Sequence, residues 1–527
     1  MPVILLEPPR PENPERFEDV VNAPLSACLF TGYIAAVLKR HSIETETADA
    51  HLHGWPAEQT IGYLSKKTSL LLCVHTVYLW EKTQNIFDLL SEVKARKRNI
   101  HINLYGYYPS FAYGKILQNF PWIDSVTVGE PEFTTLDLAV HILSRDGISQ
   151  SPSYKDNVGI ISEFSDKITI PGLAYRDLRG DVVFHPRPHV RELDQLPYPE
   201  RQDIDLYQKK GIAVYIQGSR GCYGHCTFCY LNSFHGQTSR WRGRSAENVF
   251  GEVLMLYTRY SVKDFYFSDA NFFGPGKYGK ERAVTLAELI LSHNLPVRFG
   301  FECRVNDIDE YTLSKLVMAG LTHVFLGLES GDPASLKRFR KHTTVDQNKK
   351  AIQLLRDYGI EPTFGFIMFE PNSTPESVRN NFEFLKETGI MTTPVVTAHL
   401  LYHRQTLLGG TPDYQAMVHE VSGTHTFTGY EALYQIKDPK VEVLSEIIST
   451  VCRSFLSLLP KTFDCSGQKI SARNTESDLM HFVNSSLIAV FEKTLSGVEN
   501  GTIDCYNPGI VKEVSQKLMD EMRVQYE

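Results

Sequence analysis

No stretch of about 18 consecutive apolar residues occurs, which excludes a bilayer-spanning helix. The longest candidate, Leu70 to Trp80, is interrupted by His75 and Thr76. The start, Met1 to Pro9, lacks a basic segment and an apolar core long enough for a secretory leader, so the chain reads as cytoplasmic. There is no basic excess: 54 Lys and Arg against 62 Asp and Glu give a net charge of −8. No built-in field for nucleic acid or an anionic membrane is expected. Cysteine is sparse and odd in number, nine in 527 residues, which argues against a disulfide framework. Internal repeats and low-complexity tracts are missing too. At 42% apolar and 22% charged, the chain is ordinary globular protein, long enough for about three domains.

The first 147 residues alternate between strand and helix patterns. Strands are predicted at Val3 to Leu6, Glu44 to Ala48, Leu70 to Val74, Ile102 to Tyr105 and Ser125 to Val128. Helical spacing covers Leu29 to Leu38, Ile86 to Val93, Ile116 to Phe120 and Phe133 to Leu143. Such alternation predicts a doubly wound parallel sheet of the Rossmann-like kind, which binds ligands at the carboxyl ends of its strands. Residues 148–205 read as a Pro-rich connector holding one hairpin, Leu173 to Tyr175 with Val182 to Phe184.

A second alternating series fills 206–404. Its strand candidates are Ala213 to Gln217, Phe265 to Ser268, Arg298 to Glu302, His323 to Leu328, Thr363 to Met368 and Val395 to Leu400. Six units suggest an open (β/α)6 barrel. Residues 405–527 read as a small, mostly helical C-terminal domain, with helices at Val441 to Leu459 and Ile510 to Met522. Gly274 to Glu281 approaches a phosphate loop, but Glu281 stands where Ser or Thr is needed, so this segment reads as a plain loop.

The sharpest signal is Cys222-x-x-x-Cys226-x-x-Cys229. Three unconnected thiols would be an oxidation liability. A structural zinc would want a fourth ligand, for which His225 and His235 lie near. A [4Fe–4S] cluster held by three thiolates, with one iron open, is the third option.

Gly221-Cys222-Tyr223-Gly224-His225-Cys226-Thr227-Phe228-Cys229 resembles the cluster motif of radical S-adenosylmethionine (SAM) enzymes. The resemblance implies that Cys222, Cys226 and Cys229 hold a [4Fe–4S] cluster whose open iron chelates SAM. It also places Phe228 against the adenine. Further matches sit at successive strand ends: Ser268 and Asp269, then Arg304, then Glu329 and Ser330, then Ile367. These imply contacts to the amino group, carboxylate, ribose and adenine of SAM.

The first 147 residues resemble the cobalamin-binding domain that precedes the barrel in one subclass. The likeness rests on the Pro-rich stop after the first strand, Gly32 to Leu38, and Val128 to Thr134. It implies a cobalamin site formed by Thr76, Val77, Leu79, Trp80, Gly106, Tyr107, Tyr108, Gly129, Glu130 and Glu132. Tyr105 to Pro109 departs from the Gly-Gly-x-His-like segment usual there. Asp49-Ala50-His51-Leu52-His53-Gly54 fits a D-x-H-x-x-G axial-ligand pattern, but it follows the second strand rather than the first. The lower cobalt face is therefore expected to meet Thr76 to Trp80, with no histidine ligand.

The architecture implies a C-methyltransferase, moving a methyl group from SAM through methylcobalamin to an unactivated carbon of a small biosynthetic intermediate. A low-potential donor of flavodoxin or ferredoxin type would supply electrons. Oxidative cyclisation or ring rearrangement with the same cofactors is the alternative. RNA modification is disfavoured by the −8 charge, and a non-catalytic cobalamin sensor by the intact cluster motif. No acid–base residue is assigned.

Overall fold

The computed structural model describes residues 1–9, 27–76, 83–145, 169–236, 241–420, 427–428, 431–458 and 474–526. The N-terminal sheet contains β1 (Val3–Glu7), β2 (Thr45–Asp49), β3 (Leu71–His75), β4 (His101–Tyr105) and β5 (Ser125–Thr127) in parallel. The connector hairpin, β6 (Leu173–Arg176) and β7 (Val182–Phe184), extends it antiparallel, giving the order β2-β1-β3-β4-β5-β6-β7. Every residue of β1 and β3 is buried, as expected for strands covered on both faces. The helix Ala27–Arg40 covers one face with Leu29, Phe30, Tyr33, Ile34, Val37 and Leu38. Its last turn carries Lys39 and Arg40, the favoured sign for a helix C-terminus.

The second sheet is parallel throughout: β8 (Val214–Ile216), β11 (Asp264–Phe267), β12 (Arg298–Arg304), β13 (Leu321–Glu329) and β14 (Thr363–Phe366), in sequential order. Between β8 and β11 lies a small antiparallel pair, β9 (Ser219–Gly221) with β10 (Trp241–Gly243), which the sequence reading had not separated. The intervening helices start at caps written in the sequence. Ser245 accepts from the amide of Asn248, Asp309 from Thr312, and Thr344 and Thr374 form reciprocal capping boxes.

The structure corrects the sixth strand. Val395 to Leu400 lies in a helix, Pro394–Tyr402, with Thr393 capping it and proline at its first position. The helix is buried nearly all round, so its continuous apolar run imitates a buried strand. The sixth position is filled instead by a single parallel bridge between Phe369 and Arg404. A second correction concerns Gly274 to Glu281: the helix Gly276–Ser292 begins inside it. That helix carries Arg282, which donates to the carbonyls of Arg244, Phe272 and Gly218 and braces the first two strand ends.

The C-terminal helices Pro439–Leu458, Asn474–Glu499 and Ile510–Tyr526 share one apolar core with the barrel. Phe491 packs on Phe382 with ring centres 4.7 Å apart. None of the helices among the described residues is long and apolar enough to cross a membrane.

Candidate functional site

The three cysteines follow β9 in a loop at the carboxyl end of the barrel sheet, and all are free thiols. Gly221 has φ +78°, a backbone that favours glycine, and a side chain on Gly224 would displace the end of the Arg304 guanidinium, 2.5 Å away. Gly224 N donates to Cys222 Sγ at 3.3 Å, and Arg304 Nη1 to Cys226 Sγ at 3.4 Å. Burial pushes the thiols of Cys222 and Cys229 up. Deprotonating them in place therefore calls for a cationic partner, and iron supplies one.

One tetrahedral zinc would draw its sulfurs to about 3.8 Å of each other. These three do not converge to within 4.8 Å; among the described residues the set that does is Glu130, His189 and His235. A cubane spreads its three thiolates over three irons, so the donor set fits a [4Fe–4S] cluster. His235, weighed as a zinc ligand, instead faces Glu130 at 3.7 Å and Arg242 at 3.2 Å.

The loop is tied to the rest of the barrel from several sides. Thr227 N donates to Phe339 O at 3.1 Å, and Thr227 Oγ1 to Asp413 Oδ2 at 3.0 Å. Phe228 stands edge-on to Phe339, 5.4 Å between ring centres.

The strand-end residues divide into two groups. Arg304 and Glu329 line the mouth. The guanidinium of Arg304 also donates to Lys341 O, and Glu329 accepts from Lys341 Nζ at 2.8 Å. Glu329 has φ +67° beside a register shift against β14, a strained backbone at the end of its strand. Ile367 N donates to Glu329 O at 2.8 Å, fixing the two strand ends together.

The second group is occupied within the fold. Asp269 accepts from Gly218 N at 2.6 Å and Ser219 Oγ at 2.9 Å, so it organises the turn before the cluster loop. Ser268 Oγ donates to Ile216 O at 3.3 Å. Ser330 Oγ donates to Asn381 Oδ1 at 2.7 Å and is fully buried. Short polar side chains at strand ends satisfy neighbouring backbone as readily as they meet ligands, and these three do so.

Two residues escaped the sequence reading. Lys341 is buried in a loop with no motif, between Arg340 and His342, which both have positive φ. Glu302 lies two residues before Arg304. Burial, with the charges of Asp269 and Glu329, raises its carboxyl to about 7. An acid raised on folding binds protons more tightly folded than unfolded, so stability falls as pH rises from about 4.5 to 7. Glu302→Gln should remove this loss. Thermal midpoints of mutant and wild type, without added ligand, should be similar at pH 5 and diverge in favour of the mutant at pH 8.

The N-terminal sheet presents its carboxyl edge through Glu7, His75, Gly106 and Gly129. Gly106 has φ +121°, and a side chain there would strike Thr76 O at 2.6 Å. Among the described residues Thr76 Oγ1 is buried without a partner. Val77, Leu79 and Trp80 lie outside the described residues.

Four residues expected at the cobalamin site also have partners within the fold. Tyr107 packs into the core against Phe234, 4.6 Å between ring centres, and Tyr108 is buried on the other face of the sheet. Both stand in the first turn of the helix Tyr107–Asn119. Glu130 accepts from Arg242 Nη2 at 2.6 Å and Val190 N at 2.8 Å, while Glu132 is paired with Arg220. Burial alone would raise Glu130, but Arg220, His189, His235 and Arg242 hold its carboxyl well below the usual range. Arg220 lies in β9, two residues before Cys222. These buried pairs therefore clamp the edge of one sheet to the cluster loop of the other.

Residues 216–385 match the model of the Radical SAM superfamily. The chain is 27% identical over 315 residues to an uncharacterized methyltransferase of Pyrococcus horikoshii, covering 58% of this chain and 63% of that one. It is 29% identical over 294 residues to the anaerobic magnesium-protoporphyrin IX monomethyl ester cyclase of Rubrivivax gelatinosus, covering 54% and 48%. The matches thus span about half to two-thirds of these relatives. A solved structure of the cobalamin-dependent SAM radical enzyme OxsB, with aqua-cobalamin and SAM bound, shares the fold across 100% of this chain and 75% of that one, at TM-score 0.68 and 19% identity. Sheet order, cluster loop and these likenesses agree on a radical SAM domain at residues 216–385, set in a fold shared with a cobalamin-dependent radical SAM enzyme.

Proposed function

We propose that this protein is a cobalamin-dependent radical SAM methyltransferase that methylates an unactivated carbon of a small molecule. One observation carries the reading: buried Arg220–Glu132 and Arg242–Glu130 pairs hold the cluster loop against the carboxyl edge of the N-terminal sheet. Two cofactor platforms fixed in this way suit a reaction that needs both at once. When bound, the cluster supplies the electron that cleaves SAM, and cobalamin carries the methyl group. The protein's own residues position and shield.

Cys222, Cys226 and Cys229 are the cluster ligands in this reading. Arg304 pairs with the carboxylate of SAM, and Glu329, oriented by Lys341, meets its hydroxyl or amino groups. The apolar helix Pro394–Tyr402 and the C-terminal helices close the barrel on the side of its missing sixth strand, which helps to exclude water from a radical.

Arg304→Ala should weaken SAM binding at least about tenfold, since a lost charged partner is worth about 1.5–3 kcal/mol. Equilibrium dialysis of the cluster-loaded protein checks this. With substrate and a low-potential reductant, S-adenosylhomocysteine and 5′-deoxyadenosine should form in about equal amounts. The second reading, cyclisation or rearrangement, draws on the likeness to the Rubrivivax cyclase. Substrate-dependent 5′-deoxyadenosine without matching S-adenosylhomocysteine would decide for it.

A further inference from the structure

The order β2-β1-β3 in the N-terminal sheet puts a topological switch point between β1 and β3, where open α/β sheets take their ligands. Glu7 ends β1 and His75 ends β3, so the two residues flank that crevice. His75 is fully buried and Glu7 is 3% exposed. Nδ1 of the ring lies 2.8 and 3.0 Å from the two carboxylate oxygens of Glu7. Thr31 donates to the same carboxylate and is hydrogen-bonded to the Tyr105 hydroxyl at 2.7 Å. The Tyr105 ring stacks on the imidazole at 5.1 Å with an angle of 9° between planes.

This row holds the ring with Nδ1 toward the carboxylate, so Nε2 is the nitrogen open to a ligand. Among the described residues Nε2 is buried without a partner. At Gly106 a Cβ would come within 3.3 Å of Nε2 and 3.1 Å of the ring carbon beside it. A side chain at 106 would close over the ring edge; glycine leaves that approach to a ligand. Among the described residues the hydroxyl of the adjacent Thr76 is also buried without a partner.

A histidine whose other nitrogen donates to a carboxylate is the usual form of a metal-ligating imidazole, because the carboxylate orients the ring and raises its basicity. Resting on the reading that this edge holds cobalamin, we infer that His75 ligates the cobalt through Nε2 from the sheet side, with Glu7 as its orienting partner. His51 of the D-x-H-x-x-G segment, by contrast, is exposed in the turn after β2.

Electron paramagnetic resonance of full-length protein loaded with hydroxocobalamin and reduced to the cobalt(II) state tests this without any turnover. Unlabelled protein should show a nitrogen triplet splitting, and protein carrying 15N-histidine should show a doublet. His75→Phe should abolish the splitting, and Glu7→Gln should weaken cobalamin binding about tenfold or more. A splitting indifferent to histidine labelling, no splitting at all, or one lost only in His51→Ala would overturn the assignment. The wild-type labelling result stands even if His75→Phe fails to fold. Failure of the wild-type protein to retain any cobalamin would instead refute the cobalamin reading itself, and this inference with it.

Discussion

Replacing Cys222, Cys226 and Cys229 together by alanine should lower bound iron and sulfide from about four each per chain to near zero. The basis is the donor set: three thiols in one loop, two of them raised by burial, spaced too widely for one ion and faced by the Arg304 guanidinium. Formation of 5′-deoxyadenosine should fall to background in the same variant. Cys303 provides the control. It sits buried within β12 with its thiol pushed up by burial, and Cys303→Ala should keep its iron and sulfide. Chemical analysis after anaerobic reconstitution distinguishes the two variants, and iron and sulfide retained by the triple variant would refute the ligand assignment.

Arg220→Met should be the most damaging single change outside the cysteines. Arg220 is 2% exposed, and its partner Glu132 is fully buried. Removing one member of a buried pair strands the other charge, at about 3–5 kcal/mol. The thermal midpoint should drop sharply, and cluster content should fall with it, because Arg220 immediately precedes the cysteine loop. The double variant Arg220→Met, Glu132→Gln should recover much of the loss, since no charge is then left uncompensated. A single variant as stable as wild type would mean that the clamp between the two sheets is not the link described here.

The parallel sheets and the cluster loop were legible because each rests on local chemistry. Val3 to Leu6 and Leu70 to Val74 are apolar runs with clear stops. The cysteine spacing has few rivals. What failed depended on partners distant in sequence. Val395 to Leu400 is helical because Pro394 and Thr393 start a helix that the C-terminal segments then bury; its apolar run alone does not tell strand from helix. Glu130 and Glu132 were placed on the cofactor by the resemblance of Val128 to Thr134, which does not show their pairing with Arg220 and Arg242, about 90 to 110 residues away. Lys341 has no motif and gains its place only when two left-handed residues turn its loop into the barrel mouth. His75 was seen only as an interruption in an apolar run, and its meaning lies in Glu7, on the neighbouring strand.

The central claim is that SAM gives its methyl group to cobalamin at this site. The most direct measurement is S-adenosylhomocysteine released by the anaerobic, reduced protein in the absence of substrate, with and without bound cobalamin. The account predicts one equivalent per bound cobalamin, none when cobalamin is omitted, and a strong reduction in Arg304→Ala. S-adenosylhomocysteine formed equally well without cobalamin, or 5′-deoxyadenosine accumulating with no S-adenosylhomocysteine at all, would contradict it.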